Sequence, residues 1–329
     1  METNTRKQRR GKKKSRRVLK ILLLLTTLVL FVVLGGATYL YVKAMGAEKE
    51  FHETLDRGEK SELRTEAVDV GKHNFSVLLL GDDARPGEDH ARTDAILVAT
   101  FNRTDRSIIL TSIPRDSYVE IVGRGTQDKI NHANAFGGID MTVATVENFL
   151  EIPIDYYATV KFDGFKDIVD ALDGVDVDVK YTFDFTEGGK TLNFTEGPTE
   201  LDGEHALAYT RERKSANSGG DFGRGQRQAQ VMAAIIDKAA SFKSIDNFGR
   251  VFDSLGNTLR TDLTFANLVA LHGYAGSISD IEQIQLEGEP FRGTDGVSYV
   301  RVDETSLANI QNQLKEHLGL QQSSTAAPQ

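Results

Sequence analysis

The sequence predicts an α/β domain, a central mixed β-sheet flanked by helices, behind a single N-terminal transmembrane helix. Three observations carry that expectation. An uncharged apolar run at 21–42 follows directly on a basic block. From Asn74 onward, short apolar runs bounded by turn residues alternate with longer segments of helical period. No internal repeat and no strong linker follows residue 70, so the remainder reads as one sheet covered by helices.

Residues 1–20 carry ten Lys/Arg against the single Glu2, a local +9 in a chain of net charge −9, which leaves −18 on 21–329. As a helix at about 1.5 Å per residue, the run 21–42 spans roughly 33 Å, enough for a hydrocarbon core. Tyr39 and Tyr41 fall near one end, where interfacial aromatics sit. A cleaved signal peptide ending at Ala44-Met45-Gly46 is the alternative. Its apolar region should be only about 7–15 residues, and the longer run favours an uncleaved signal-anchor. The positive-inside rule keeps 1–20 cytoplasmic and puts 43–329 outside, a single-pass type II topology.

Beyond the span, 43–70 is polar without a sustained apolar face and reads as a stalk. One folded domain is expected over 71–318, and 319–329 as a flexible tail. Strands are expected at 75–80, 95–101, 107–113, 154–161, 175–179, 283–286 and 297–302. Helices are expected at 137–150, 162–172, 202–210, 224–240, 245–259, 264–274 and 303–318.

Composition narrows the chemistry. Zero cysteines exclude disulfide scaffolds, thiolate metal sites and a cysteine nucleophile. An acidic exterior does not suit bulk nucleic-acid binding, which neutralises phosphates with a basic face. The seven histidines show no metal-binding spacing, and no nucleophile elbow, P-loop or dinucleotide fingerprint occurs.

Two groups of residues remain. If Phe101 pairs with Ser107 across the Asn102–Asp105 turn, Asp94 falls opposite Pro114, and Asp94 and Arg115 share one sheet edge. The loop after the first strand brings Asp83, Arg85 and Arg92 to the same edge. Carboxylates beside guanidiniums suit a divalent metal and a polyanion, with surface salt bridges as the plainer alternative. The second group is 211–227, five basic residues and two acids in an otherwise acidic exterior. The helix that follows has the apolar stripe Val231, Met232, Ile235, Ile236 and Ala239. Stepping back at helical spacing reaches Gln228, Arg227 and Arg224, so these polar side chains face inward at the first turn. A helix N-terminus itself attracts phosphate. Lys129 is a further cation within reach of such a ligand, while the helices at 162–172 and 264–274 read as core with room for a lipid between them.

Taken together these stretches resemble the LytR-CpsA-Psr family of Gram-positive envelopes. The matching segments are LLLGDDAR (78–85), RTDAI (92–96), SIPRDSYVEI (112–121), KINHANAFGG (129–138), DALDGVDVDV (170–179), ALAYTRERK (206–214) and DFGRGQRQAQV (221–231). The resemblance implies an α/β/α domain outside the membrane. It also implies a phosphotransferase that moves an anionic glycopolymer, such as wall teichoic acid, from a polyprenyl-pyrophosphate carrier to peptidoglycan. The carrier's pyrophosphate is then expected among Arg85, Arg92, Arg115, Lys129, Arg211, Arg213, Arg224, Arg227 and Gln228. Mg²⁺ is expected on Asp83 and Asp94, with Asp82 an alternative because both aspartates follow Gly81. Asp221 either orients Arg224 or Arg227 or accepts the attacking proton. A non-catalytic lipid-phosphate binder and a pyrophosphate hydrolase are the competing functions.

Overall fold

Strand β1 (Phe75–Asp82) sends alternate apolar side chains to opposite sides, and this alternation sets the layers. Phe75 and Val77 enter one core with Ala99, Phe101, Ile108 and Leu110; Leu78 and Leu80 enter another with Ile96, Val98 and Ile109. The computed structural model describes residues 51–82, 92–241, 258–264, 266–267, 270–271 and 280–320. Its main sheet has six strands in the order β11 (Leu259–Thr261), β6 (Tyr156–Lys161), β1, β2 (Thr93–Asn102), β3 (Ser107–Ser112), β12 (Asp280–Gln285). β1 is antiparallel to β2 and parallel to β6, and β3 is antiparallel to β2 and parallel to β12. The sheet is therefore mixed, as expected.

Helices α1 (His132–Leu150) and α5 (Glu304–His317) bury Val143, Val146, Ile310 and Leu314 against one face. Helix α4 (Gly220–Ser241) lays Met232 and Ile236 on the other. Beside that face, α2 (Phe162–Ala171) and α3 (Gly203–Arg211) pack with strands β7 (Val175–Val179) and β10 (Gly197–Leu201) around Val169, Leu172, Tyr209 and Val231. Three small hairpins complete the described residues: β4 (Tyr118–Ile121) with β5 (Thr126–Lys129), β8 (Phe183–Glu187) with β9 (Lys190–Phe194), and β13 (Gly288–Arg292) with β14 (Ser298–Val302).

Several expectations change. The β2–β3 hairpin is shifted by one residue, pairing Asn102 rather than Phe101 with Ser107. The Asn102 and Asp105 side chains and backbone bond to one another across the turn, and Arg106 takes a left-handed φ of 54° to close it. Helix α4 begins at Gly220, four residues ahead of the expected start. Leu259 belongs to strand β11 instead of ending a helix, and the rest of that expected helix lies outside the described residues, apart from Thr258. The expected span 21–42 and site residues Asp83 and Arg85 also lie outside them. Among the described residues no helix is long and apolar enough to cross a membrane.

Residues 51–70, read as stalk, are held to the sheet. Phe51, Leu55 and Val70 are buried. Arg57 and Ser61 donate to Glu147 at 2.8 and 2.6 Å, and Arg64 forks onto Asp155 at 2.8 and 2.6 Å. Three apolar anchors without a period leave no amphipathic signal to read.

A candidate lipid diphosphate site

The corrected hairpin register brings Asp94 and Arg115 of the first site group together. Ile113 N–H donates to Ile96 at 3.0 Å beyond the end of β3. Continuing that pairing sets Arg115 opposite Asp94, and their side chains form an ion pair. Arg115 Nε also lies 3.6 Å from Asp116. Burial works against the charge of Arg115, but Asp94 and Asp116 outweigh it and hold its pKa above the ordinary arginine value.

The second group arrives from α4. A Cβ on Gly225 would stand 2.8 Å from both Ser112 Oγ and Gln285 Nε2, so glycine lets the helix lie directly on β3 and β12. Gln285 in turn donates to Phe222 O at 3.0 Å, pinning the first turn. Arg224 is thereby only 8 % exposed, with Nη2 3.0 Å from Asp221 Oδ1. Burial, and next the charge of Arg115, push its pKa below the usual value. Two arginines that repel one another in a partly desolvated place favour an anion between them. Asp221 also reaches Arg213 at 3.8 Å.

Beneath these groups opens a cavity of about 700 Å³. Leu79, Leu97, Ala158 and Val160 form its floor on the sheet. Phe165 and Ile168 of α2, Met232 and Ile235 of α4, and Phe185 of β8 make its walls. Asp94, Arg115, Arg211, Arg213, Arg224 and Gln228 gather at its polar rim. An apolar body with a guanidinium-rich rim is complementary to a long hydrocarbon carrying a phosphate head.

Other expected residues are placed differently. Arg227 is buried away from the rim: it donates to Tyr209 O at 3.1 Å, Ser218 O at 3.0 Å, Tyr181 Oη at 3.0 Å, and also to Glu212 O. Its work is to hold the 212–218 loop against α3. Lys129 pairs with Asp116 at 2.6 Å, outside the cavity lining. Arg211 pairs with Glu187 of β8 at 2.6 Å while lining the cavity. Arg92 is exposed just ahead of β2. Asp82 is buried at the end of β1 and lines a neighbouring cavity. Among the described residues, no group of three or more His, Cys, Asp or Glu side chains is arranged to hold a metal ion.

Sequence reasoning missed Asp116, which joins Arg115 to Lys129, and the β8 segment Asp184–Glu187 along the cavity wall. The hairpin carrying that wall did have a signal. Gly188 and Gly189 adopt φ of 60° and 83° between two five-residue strands, the two-residue turn that a Gly-Gly pair favours.

Fold and cavity together define an α/β/α domain with an apolar cavity under a guanidinium-rich rim. The chain belongs to the LytR_cpsA_psr family, whose model matches residues 38–316. It is 44% identical over 291 residues to the polyisoprenyl-teichoic acid–peptidoglycan teichoic acid transferase TagU of Halalkalibacterium halodurans, covering 88% of this chain and 94% of that protein. Among solved structures it is similar to TagT bound to LIIa-WTA, with a TM-score of 0.70 and 39% identity over 82% of this chain and 100% of the other. A second similar structure, TagT with bound octaprenyl pyrophosphate lipid, gives a TM-score of 0.65 and 37% identity, with coverage of 82% and 100%.

Proposed function

We propose that this protein transfers a teichoic-acid-type glycopolymer from a polyprenyl-pyrophosphate carrier to a sugar hydroxyl of peptidoglycan at the cell envelope. The observation that carries the reading is the apolar cavity rimmed by Arg115, Arg211, Arg213 and Arg224. The prenyl chain fills the cavity, and the guanidiniums fork onto the diphosphate oxygens.

The acceptor hydroxyl oxygen bonds to the phosphorus that carries the glycopolymer, and the bridging P–O bond to the prenyl phosphate breaks. Prenyl monophosphate departs, and the hydroxyl proton passes by a rim carboxylate to water. Asp221 faces this side of Arg224 and lines a small pocket there with Asp116. Charge spread over the equatorial oxygens meets Arg115 and Arg224, which are already oriented by Asp94 and Asp221.

The donor chemistry at the rim also fits a hard divalent cation such as Mg²⁺. That ion commonly takes one or two carboxylates and completes its shell with phosphate oxygens and water. Asp94 at the rim would be one such ligand, and Asp83 is the companion that the sequence suggests. A bound cation there would neutralise diphosphate charge. The 1–20 basic flank and the 21–42 span fit a signal-anchor that holds the domain at the outer face of the cell membrane.

The test is one incubation of the protein with lipid-linked glycopolymer, Mg²⁺ and peptidoglycan oligomer. Covalent glycopolymer–peptidoglycan product is expected, and Arg115→Ala or Arg224→Ala lowers its rate about 100-fold or more, as for loss of one preorganised charge donor. Free phosphorylated glycan instead of conjugate identifies a hydrolase. Protected, unchanged lipid identifies a binder.

A further inference from the structure

The chemistry proposed above requires an acceptor site, and in-line displacement restricts where it lies. The leaving oxygen belongs to prenyl phosphate, whose chain occupies the large cavity. The attacking hydroxyl must therefore approach from the opposite side of the phosphorus. A small pocket adjoins the rim: it shares Asp94, Arg115, Arg224 and Gln228 with the lipid cavity, has none of the cavity's apolar floor or walls, and continues to Asp116 and Val300.

Two hairpins meet beyond it. Ser117 bridges Val300, and Val300 N–H donates to Asp116 O at 2.8 Å. This joint places Tyr118, three residues from Arg115 and so within ~10 Å of it along the chain, against the β13–β14 hairpin. Tyr118 is 38% exposed, the most exposed aromatic on these two hairpins. Its ring is braced edge-on by Phe291 at 5.5 Å and Tyr299 at 4.8 Å between centroids. Arg301 lies over Phe291 at 4.6 Å, and Lys129, paired with Asp116, lies 5.6 Å from the Tyr299 ring centre.

We infer that Tyr118, braced by Phe291 and the buried Tyr299, presents the docking platform for the peptidoglycan glycan, with Lys129 and Arg301 serving its anionic substituents. The axial C–H bonds of a pyranose ring pack on an aromatic face, and braced aromatics lose little entropy when they bind. Peptidoglycan also carries lactyl-linked stem peptides with free carboxylates, which suit the flanking cations. The small pocket, lined by Arg115, Asp116 and Val300, lies between the rim and the joint of the two hairpins, so a glycan seated on Tyr118 sits beside the rim. The inference rests on the transfer reading, but its test separates the two.

With full-length protein in detergent, Tyr118→Ala and Phe291→Ala each raise the KM for an uncrosslinked peptidoglycan oligomer about tenfold, while affinity for octaprenyl pyrophosphate is unchanged. Tyr118→Trp restores the acceptor KM, and matching thermal melts show that the variants are folded. An unchanged acceptor KM overturns the inference, as does loss of octaprenyl-pyrophosphate affinity, which assigns the patch to the donor. Oligomer binding is also measured directly by NMR, without donor. If wild-type protein binds the oligomer with shifts at Tyr118 and Phe291 yet forms no conjugate, the platform stands and the transfer reading falls. Equal binding by wild type and Tyr118→Ala overturns the platform whatever the catalytic result.

Discussion

Arg224 and Arg227 both fall on the inward stripe of α4, yet their guanidiniums meet different surroundings. Arg224 sees two aspartates, Asp221 and Asp94, and two repelling arginines, Arg115 and Arg213; Arg227 sees carbonyl oxygens from the 212–218 loop and α3. Helical spacing told that both point inward, but a ring of carbonyls leaves no side-chain pattern, so their roles could not be separated from sequence. Asp262 was equally silent. Its carboxyl is pushed up to about 7, chiefly by burial and with help from Asp155, although it accepts Tyr157 N–H at 2.8 Å and Arg57 opposes the shift. Between the unfolded value near 4 and the folded value, the native state keeps a proton that the unfolded chain has lost. Its contribution to stability is therefore fully present below about pH 4 and falls as pH rises to about 7, by at most about 1.4 kcal/mol per pH unit. Asp262→Asn keeps an oxygen acceptor for Tyr157 and cannot titrate. Denaturant midpoints should show the variant gaining on wild type from pH 4 to 7 and levelling above it; parallel profiles would contradict this.

At the scale of elements, strands with buried alternation were legible and polar hairpins were not. β1, β2, β3 and β7 lie close to their expected limits because both sheet faces are buried or cleanly alternating. The β4–β5 and β8–β9 hairpins expose much of their length, so Thr126, Gln127, Asp184 and Lys190 carry no apolar alternation. The early start of α4 has a tertiary cause. Gly220, Gly223 and Gly225 are poor helix formers, and the contact of Gly225 with β3 and β12 offsets that low propensity. That conflict yields a prediction with a diagnostic sign. In a free helix Gly→Ala gains about 1 kcal/mol. At Gly225 the added methyl meets Ser112 and Gln285 at 2.8 Å, and overpacking of this kind costs about 1–3 kcal/mol. Gly225→Ala should thus lower the melting temperature and, by displacing Arg224, weaken octaprenyl-pyrophosphate binding several-fold. A rise in melting temperature with full lipid affinity would show that the helix has room to spare.

For the whole molecule, the charge distribution and the cavity make one argument about where the protein works. Residues 21–329 sum to −18, while 211–227 is locally +3 and four of its five cations, Arg211, Arg213, Lys214 and Arg224, border the cavity. An acidic body repels anionic polymer in general, and the cationic rim admits it at one place. The hydrocarbon half of the ligand sets a second condition. Withdrawing a prenyl chain into water costs about 0.8 kcal/mol per buried methylene, so a long-chain donor cannot reach the cavity through solution at a useful rate. It must pass from bilayer to cavity, and an N-terminal anchor would keep the cavity at the bilayer. Tethering of this kind raises effective concentration and contributes about 10²–10⁴ without any new contact. The Glu50–Gln329 residues form a compact unit of their own, so a chain without residues 1–49 is expected to keep its fold. With a short-chain, water-soluble donor, the shortened and full-length proteins should therefore transfer at equal rates. With a long-chain donor embedded in vesicles, the shortened protein should be at least about 100-fold slower. Raising salt should not close that gap, because such a tether would act through hydrophobic insertion and not through screened charge. Equal rates on vesicle-borne donor would mean that the 50–329 unit finds the bilayer unaided.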